Sequence, residues 1–238
     1  MARQRISTGI EGLDNLIEGG LQENKSYLIC GEPGTGKTIL CLQFILHGLQ
    51  NSESGVYVSI DEKPEHLIED AAALGWDLQS HVDAGRLLIL DVSPFFTGIR
   101  LGKEKQIDVR QIITDLSKHV KRMNAKRLVI DPVAALAFER DAVSAMQEYI
   151  RSLFFSIDDN LGCTTLMTSH IRPGSHELSH YGVEEFFASG IIWLKLIKPA
   201  QKYVRTLFVR KMRGTATDLS EYAFEILSNR GIVIRQPL

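Results

Sequence analysis

The chain has 238 residues, and its 27 Lys and Arg against 29 Asp and Glu give a net charge of −2 at neutral pH. With 44% hydrophobic and 24% charged residues, its composition is that of an ordinary globular protein. These values exclude a disordered chain, a collagen-like chain and a strongly basic protein that coats nucleic acid. The length alone allows one large domain or two small ones.

The three cysteines, Cys30, Cys41 and Cys163, form no C-x-x-C pair, so neither a zinc site nor a disulfide framework is expected. Cys30 and Cys163 lie in apolar runs typical of buried thiols, which favours the reducing cytoplasm. The first residues hold no apolar core of signal-peptide length, and no apolar run approaches about 18 residues. The sequence therefore predicts neither a secretory signal nor a membrane span.

Strands and helices are predicted to alternate through the first 190 residues. Apolar runs at 26–31, 56–60, 87–92, 127–131 and 163–168 read as strands. Helical spacing or helix signals lie between them, at 37–49, 64–74, 109–123 and 142–157. Such alternation predicts parallel strands joined by right-handed crossovers.

The pattern changes after Gly190, where four strands follow without helices between them. They lie at 191–197, 203–212, 222–227 and 231–234, and we expect them to be antiparallel additions at the sheet edge. The prediction is one three-layer α/β domain over residues 1–238. It comprises an entry segment (1–25), a parallel α/β core (26–190) and a β-rich end (191–238).

A glycine-rich segment, Gly31-Glu32-Pro33-Gly34-Thr35-Gly36-Lys37-Thr38, fits the pattern G-x-x-x-x-G-K-[ST] between an apolar strand and a helix. Its glycines let backbone N–H groups turn inward at a helix N-terminus, which makes a cradle for phosphate. Lys37 is expected to reach the β- and γ-phosphates and Thr38 to bind Mg²⁺. The predicted nucleotide contacts are Gly34, Thr35, Gly36, Lys37, Thr38 and Ile39.

Two strands end in acids at the edge where a doubly wound sheet binds ligands. Asp131 closes the run RLVID and has the form of a Walker B aspartate, which holds Mg²⁺ directly or through water. The alternative is a helix cap or turn cap before Pro132. Asp61 and Glu62 follow the strand VYVSI, where Glu62 is expected to be the general base and a magnesium contact, with Asp61 assisting. The alternative for this pair is a favourable interaction with the next helix dipole.

Further segments carry a family resemblance over about residues 6–234. The entry segment, with Thr8-Gly9-Ile10 and Gly19-Gly20-Leu21, resembles that of RecA-superfamily ATPases. Residues 56–78, the stretch YGVEEF (181–186) and the stretch FVRKMRGT (208–215) are similar to segments of KaiC-like ATPases. KaiC-like clock ATPases carry two such domains in tandem and this sequence has one, so a clock role does not follow.

The resemblance implies a RecA-like P-loop NTPase fold, with ATP and Mg²⁺ held between neighbours in a homo-hexameric ring. It further implies a regulatory or signalling ATPase with an unknown protein partner. By matching segments, residues Lys211, Met212, Arg213, Thr215 and Asn229 would face the nucleotide of the adjacent subunit, with Ser169 in a sensor-like position.

The spacing of Lys211 and Arg213 indicates a function independently of the resemblance. Residues two apart in a strand share a face, so the two cations should point the same way. Their distance along the chain from the phosphate loop agrees with an arginine-finger role in a neighbouring subunit. The alternative is a solvated basic strand edge that discourages aggregation.

Two other functions stay open. A KaiC-type autokinase is disfavoured because Glu185 and Phe186 occupy the positions of the phosphorylated Ser and Thr, which leaves Ser175, Ser179 and Ser189 as candidates. A RecA-like DNA-binding ATPase is disfavoured because the loop 171–189 mixes Arg172, His176 and His180 with acids. A basic cluster offers the other candidate surface, formed by Lys118, Lys121, Arg122, Lys126 and Arg127. The histidines show no metal-binding spacing.

Overall fold

Strand and helix alternate as far as residue 190 in the computed structural model, which describes residues 4–92, 109–136, 143–171, 177–199 and 201–238. The strands are β1 Arg5–Ile6, β2 Leu21–Gln22, β3 Ser26–Gly31, β4 Ser54–Ser59, β5 Leu87–Asp91, β6 Ala125–Asp131, β7 Thr164–His170, β8 Gly190–Ile197, β9 Val204–Met212, β10 Glu221–Leu227 and β11 Gly231–Pro237. The helices are α1 Leu13–Leu16, α2 Lys37–Gln50, α3 Pro64–Ala73, α4 Gln79–Asp83, α5 Val109–Met123, α6 Val143–Asn160 and α7 Glu184–Phe187, with a 3₁₀ turn at Val133–Leu136.

Nine strands of the described chain form one sheet in the order β11-β10-β9-β8-β3-β7-β6-β4-β5. The strands from β8 to β5 in this order pair in parallel. Strands β9, β10 and β11 are antiparallel to their neighbours. The sheet is thus mostly parallel with an antiparallel C-terminal end, as predicted.

The prediction that all four late strands would be antiparallel additions is wrong for the first of them. Strand β8 pairs in parallel with β3, with Tyr27 opposite Gly190 and Gly31 opposite Leu194. The connection 171–189 is long enough for a crossover. It returns the chain to the end of the sheet at which β7 begins, so β8 runs in the same direction as β7. Only the later connections are short enough to be hairpins.

The sheet carries an apolar core on each face, because side chains alternate along its buried strands. Leu28 and Cys30 of β3 point to the face covered by α5 and α6. Tyr27 and Ile29 point to the face covered by α2 and α3. All three cysteines are buried and none forms a disulfide. No described helix is long and apolar enough to cross a bilayer.

The small elements were not predicted. Strands β1 and β2 form a separate antiparallel pair within the entry segment, joined through Arg5–Gln22 and Ile6–Leu21. Elements of two to five residues, such as β1, β2 and α4, are too short to show a periodic pattern.

The strands run between two opposite sides of the sheet, which we call edges and which are distinct from its two outermost strands. Strands β3, β4, β6 and β7 all end at one of them, which we call the carboxyl edge. Because β9 is antiparallel to β8, it ends at the opposite, amino edge. Strand β10 reverses again and ends at the carboxyl edge.

Candidate nucleotide-binding site

The phosphate loop joins β3 to α2 at the carboxyl edge. Gly34 and Gly36 have φ angles of 79° and 103°, which side-chain-bearing residues rarely adopt, so the loop curls where the motif has glycine. Thr35 Oγ1 donates to Glu32 O at 2.8 Å and ties the loop to itself. Helix α2 begins at Lys37, directly after the loop, so its positive N-terminus faces the space that the loop encloses.

Lys37 lies inside this cradle and is only 5% exposed. Its Nζ donates to Gly31 O at 2.9 Å and to Glu32 O at 3.0 Å. Burial lowers the pKa of Lys37, and the nearby Asp131 carboxylate opposes that shift. A partly desolvated ammonium interacts more strongly with an anion than a hydrated one does, which suits a phosphate-binding role.

Asp131 is the centre of a hydrogen-bond network at the end of β6. Its Oδ2 accepts from Thr38 Oγ1 at 3.0 Å and from the Tyr57 hydroxyl at 2.6 Å. Its Oδ1 accepts a short hydrogen bond from Thr168 Oγ1. Burial and the Asp131 charge raise the pKa of Tyr57 well above its usual value, so this phenol stays a neutral donor.

Tyr57 and Thr168 are site residues that sequence reasoning missed. They belong to β4 and β7, the two strands that flank β6 in the sheet. No motif marks them, since a buried Tyr and Thr in apolar strands resemble ordinary core residues. The strand order was the only signal that would have brought them to Asp131.

A cavity of about 590 Å³ opens beside the phosphate loop, a volume suited to a small ligand. Glu62 lines it together with His170 and Asp70. Burial, then Asp70 and Asp131, raise the pKa of Glu62 above that of an ordinary glutamate. Asp61 is exposed to solvent and does not line this cavity. Of the predicted pair, Glu62 is the residue that faces the loop.

Two residues of the β-rich end also reach the carboxyl edge. Arg205, near the start of β9, lines the cavity, and its Nε donates to Gly34 O at 3.3 Å. Asn229 lies in the turn after β10, where its N–H donates to Leu74 O at 2.6 Å, and Leu74 also lines the cavity. Asn229 therefore lies beside its own subunit's cavity. Arg205 was not among the predicted residues.

Ser169 is turned away from this cluster because neighbouring residues of β7 face opposite sides of the sheet. Its Oγ accepts from the His180 N–H at 2.9 Å and lies 3.4 Å from Glu184 Oε1. The adjacent Thr168, not Ser169, contacts Asp131.

Lys211 and Arg213 lie at the amino edge, away from their own phosphate loop. Met212 pairs with Gly190, which pairs with Tyr27, four residues or roughly 13 Å of strand before Gly31. The side chains of both cations point to the same backbone carbonyl, that of Phe186, which agrees with the prediction that they share a face. Lys211 Nζ donates to Glu185 O at 2.9 Å and Arg213 Nη2 to Phe186 O at 2.9 Å. Burial and the charge of Arg213 lower the pKa of Lys211 to about 8.

The other residues of this segment differ in exposure. The Met212 side chain is buried in its own subunit, whereas Lys211 is half-buried and Arg213 is exposed. Thr215 Oγ1 accepts from Arg5 Nη2 at 3.0 Å, and Gln22 donates to the carbonyl of Arg213 at 3.0 Å. The entry segment thus holds the turn that follows β9.

The candidate residues of the two alternative functions differ in exposure, and four residues of the basic cluster are exposed, namely Lys118, Lys121, Arg122 and Lys126. Ser179 and Ser189 are buried, at 2% and 8% exposure, and Ser175 lies outside the described residues. Arg127 does not belong to a basic surface, because its side chain is 2% exposed and pairs with Glu53 at 2.6 Å. Arg172 and His176 of the proposed DNA loop also lie outside the described residues.

The described donors fit Mg²⁺ only together with a nucleotide. No group of three His, Cys, Asp or Glu side chains in the described parts of the chain is arranged to hold a metal. Thr38 and Asp131 offer one hydroxyl and one carboxylate 3.0 Å apart. Mg²⁺ is commonly held by such a small protein set completed by phosphate oxygens and water.

A curled glycine loop, a following helix and an acid-ended strand that lies one strand away from β3, all within a mostly parallel sheet, define a RecA-like P-loop protein. The chain belongs to the KaiC family of ATPases: the family model described as "ATPase: KaiC" matches residues 6–238.

Relatives of two lengths resemble the chain. The circadian clock oscillator protein KaiC of Prochlorococcus marinus subsp. pastoris is 36% identical over 235 residues, which are 98% of this chain and 45% of that protein. A UPF0273 protein of Thermotoga maritima is 36% identical over 97% of this chain and 96% of its own length. The chain thus spans under half of the KaiC relatives it matches but nearly all of the shorter one.

A solved structure shares the fold. The crystal structure of the KaiC-like protein PH0186 from Pyrococcus horikoshii OT3 matches with a TM-score of 0.83 at 33% identity, covering 99% of this chain and 100% of that one. At this identity the likeness supports the family as well as the fold.

Proposed function

We propose that the chain is an Mg²⁺-dependent ATPase that works in a homo-hexameric ring with ATP at the subunit interfaces. The observation that carries the proposal is the contact of Thr38 Oγ1 with Asp131 Oδ2, 3.0 Å apart, at the mouth of a curled phosphate loop. These are the two side chains that a P-loop protein uses for magnesium, placed beside the phosphate-binding Lys37.

In this proposal each residue of the phosphate loop has a defined task. The backbone of Gly34 to Thr38, with Ile39 in the first turn of α2, cradles the phosphates, and Lys37 pairs with the β- and γ-phosphates. Mg²⁺ would neutralise phosphate charge while Thr38 and Asp131 hold it. Glu62 takes the proton of the attacking water, a task that its raised pKa suits.

The charge of the transition state requires cations close to the γ-phosphate, and Lys211 and Arg213 do not reach the phosphate loop of their own subunit. Lys211 and Arg213 lie at the amino edge, roughly 13 Å of strand below the loop, and are therefore directed at a neighbour. In a ring in which the amino edge of each subunit meets the carboxyl edge of the next, Lys211 and Arg213 of one subunit would complete the site at its neighbour's phosphate loop. Such a head-to-tail contact agrees with the ring that the family resemblance implies.

We further infer a regulatory role in which the nucleotide state controls binding of a protein partner in the cytoplasm. The three buried thiols suit a reducing compartment. The support for regulation is the family membership, since one relative is a circadian clock oscillator protein.

Steady-state hydrolysis and mass measurements test the proposal. The wild type should hydrolyse ATP only with Mg²⁺ and should assemble into a ring when ATP is present. Lys37→Ala should lose nucleotide binding, and Glu62→Gln should bind ATP but lose turnover. Unchanged affinity and turnover in Lys37→Ala would defeat the assignment, and wild-type turnover in Glu62→Gln would defeat the base.

A further inference from the structure

The segment from Glu184 to Ser189, which contains helix α7, runs along β3 between the two edges of the sheet. Its first residue, Glu184, reaches Ser169, which pairs with Cys30 near the carboxyl edge. Just beyond its last residue, Ser189 N–H donates to Ser26 O at the start of β3. The segment from Glu184 to Ser189 therefore runs beside four residues of β3, roughly 13 Å, of which the four-residue helix itself covers about 6 Å.

The Glu184 carboxylate anchors the first turn of this helix and is 0% exposed. It accepts from Ser179 Oγ at 2.7 Å and from the N–H groups of Tyr181 and Val183 at 3.2 and 3.3 Å. Every partner it has among the described residues is an uncharged donor. Burying a carboxylate is costly unless such donors are fixed around it, so this turn has little freedom to move.

The other end of α7 holds the two cations of β9. Its last turn leaves carbonyl groups without helical partners, and these attract positive charge. Glu185 O and Phe186 O accept from Lys211 Nζ at 2.9 and 3.2 Å, and Phe186 O also accepts from Arg213 Nη2 at 2.9 Å. The direction in which Lys211 and Arg213 point thus depends on where α7 lies.

We propose that Glu184 is a positioning residue: its buried carboxylate fixes α7 so that the helix's terminal carbonyls aim Lys211 and Arg213 at the neighbouring subunit's nucleotide. The inference rests on the proposed function, in which these cations act across the interface. Glu184 would thus act on the neighbour's site, although its partner Ser169 is adjacent in β7 to Thr168, which contacts Asp131 in the site of the same subunit.

Glu184→Gln tests the inference with nearly constant volume. The glutamine NH₂ would face N–H and O–H donors instead of accepting from them, which displaces the turn. A displacement of about 1 Å at a catalytic cation lowers turnover roughly ten- to a hundred-fold, and we expect a loss in that range. Affinity for the fluorescent nucleotide mant-ADP should stay at the wild-type value. The exposed Glu65→Gln, on α3, is the matched control and should leave turnover unchanged.

Mixed rings decide whether the defect acts in the neighbour. Lys37→Ala subunits lack a working phosphate loop but keep their cations, and Arg213→Ala subunits are the reverse. In an equimolar mixture about a quarter of head-to-tail interfaces pair a working loop with a working cation set, so activity should reappear. Glu184→Gln mixed with Lys37→Ala should recover activity in the same way.

The possible results separate the two proposals. If Arg213→Ala with Lys37→Ala recovers activity and Glu184→Gln with Lys37→Ala does not, Glu184 serves its own site and the inference is wrong. Wild-type turnover in Glu184→Gln alone also overturns it. If neither mixture recovers activity, the proposed action of Lys211 and Arg213 across the interface is wrong, and the inference on Glu184 falls with it. Should Glu184→Gln not assemble, Ser179→Ala, which removes the 2.7 Å donor, takes its place, with a smaller loss of the same kind expected.

Discussion

The hydroxyl of Tyr57 offers a sharp perturbation of the magnesium site, because Tyr57→Phe removes one hydrogen bond to Asp131 and no buried carbon. The lost contact is a 2.6 Å bond from a buried phenol to a carboxylate. Hydrogen bonds to charged groups contribute about 1.5–3 kcal/mol, and a chain of this length loses roughly 2–4 °C of melting temperature per kcal/mol. We therefore expect Tm to fall by about 3–12 °C.

The same substitution should weaken magnesium binding. Residues that orient a metal ligand typically change metal affinity 10- to 100-fold when they are removed. Because Thr38 and Thr168 still hold Asp131, we expect the lower end, about tenfold, in the Mg²⁺ concentration that half-saturates ATP binding. Titration of Mn²⁺ followed by electron paramagnetic resonance gives the same comparison without turnover.

Tyr27→Phe is the matched control for this prediction. Tyr27 is equally buried, but its hydroxyl donates to a backbone carbonyl, Gln22 O, at 3.0 Å. Its loss should cost about 1 kcal/mol and leave Mg²⁺ dependence unchanged. If Tyr57→Phe and Tyr27→Phe show the same Mg²⁺ half-saturation, Tyr57 has no part in the metal site and the reasoning is refuted.

Two further predictions concern buried charge. Arg127→Met should destabilise the fold by about 3 kcal/mol, because it leaves Glu53 and the carbonyls of Ser7 and Phe44 without their donor. Urea unfolding measures this change in the free energy of unfolding. The control is the exposed Lys126→Met, which should stay within about 0.5 kcal/mol of wild type. Hydrolysis should decline as pH rises through about 8, where Lys211 loses its charge, since burial and Arg213 lower the pKa of Lys211 to about 8. Lys211→Arg, whose guanidinium stays charged, should remove that alkaline decline, and a decline of unchanged position would contradict the assignment.

Much of the fold was predictable because its main strands and helices are long and periodic. The strand from Ser26 to Gly31 and the helix from Val109 to Met123 have the predicted bounds. The direction of β8 was not predictable, because strand patterning does not encode whether a long connection crosses over. The short entry strands carried no periodic signal.

The residues of the candidate site also fall into those that the sequence predicts and those that it does not. Lys37, Thr38, Asp131 and Glu62 were found because motif spacing marks them, and the structure brings them to one edge of the sheet. Tyr57, Thr168 and Arg205 were missed, because their presence depends on strand order and not on local sequence. The assignment of Arg127 to a basic surface failed for a related reason: sequence does not reveal that its guanidinium turns inward to Glu53.

One measurement tests the account's central claim, that ATP is hydrolysed at sites shared by two subunits. The mass of the assembly and its ATPase rate should be measured for wild type and for Arg213→Ala, with and without ATP. We expect Arg213→Ala to bind ATP and assemble like the wild type but to hydrolyse about a thousandfold more slowly, as for loss of an arginine finger. Equal hydrolysis rates, or full activity from a wild-type monomer, would contradict the claim.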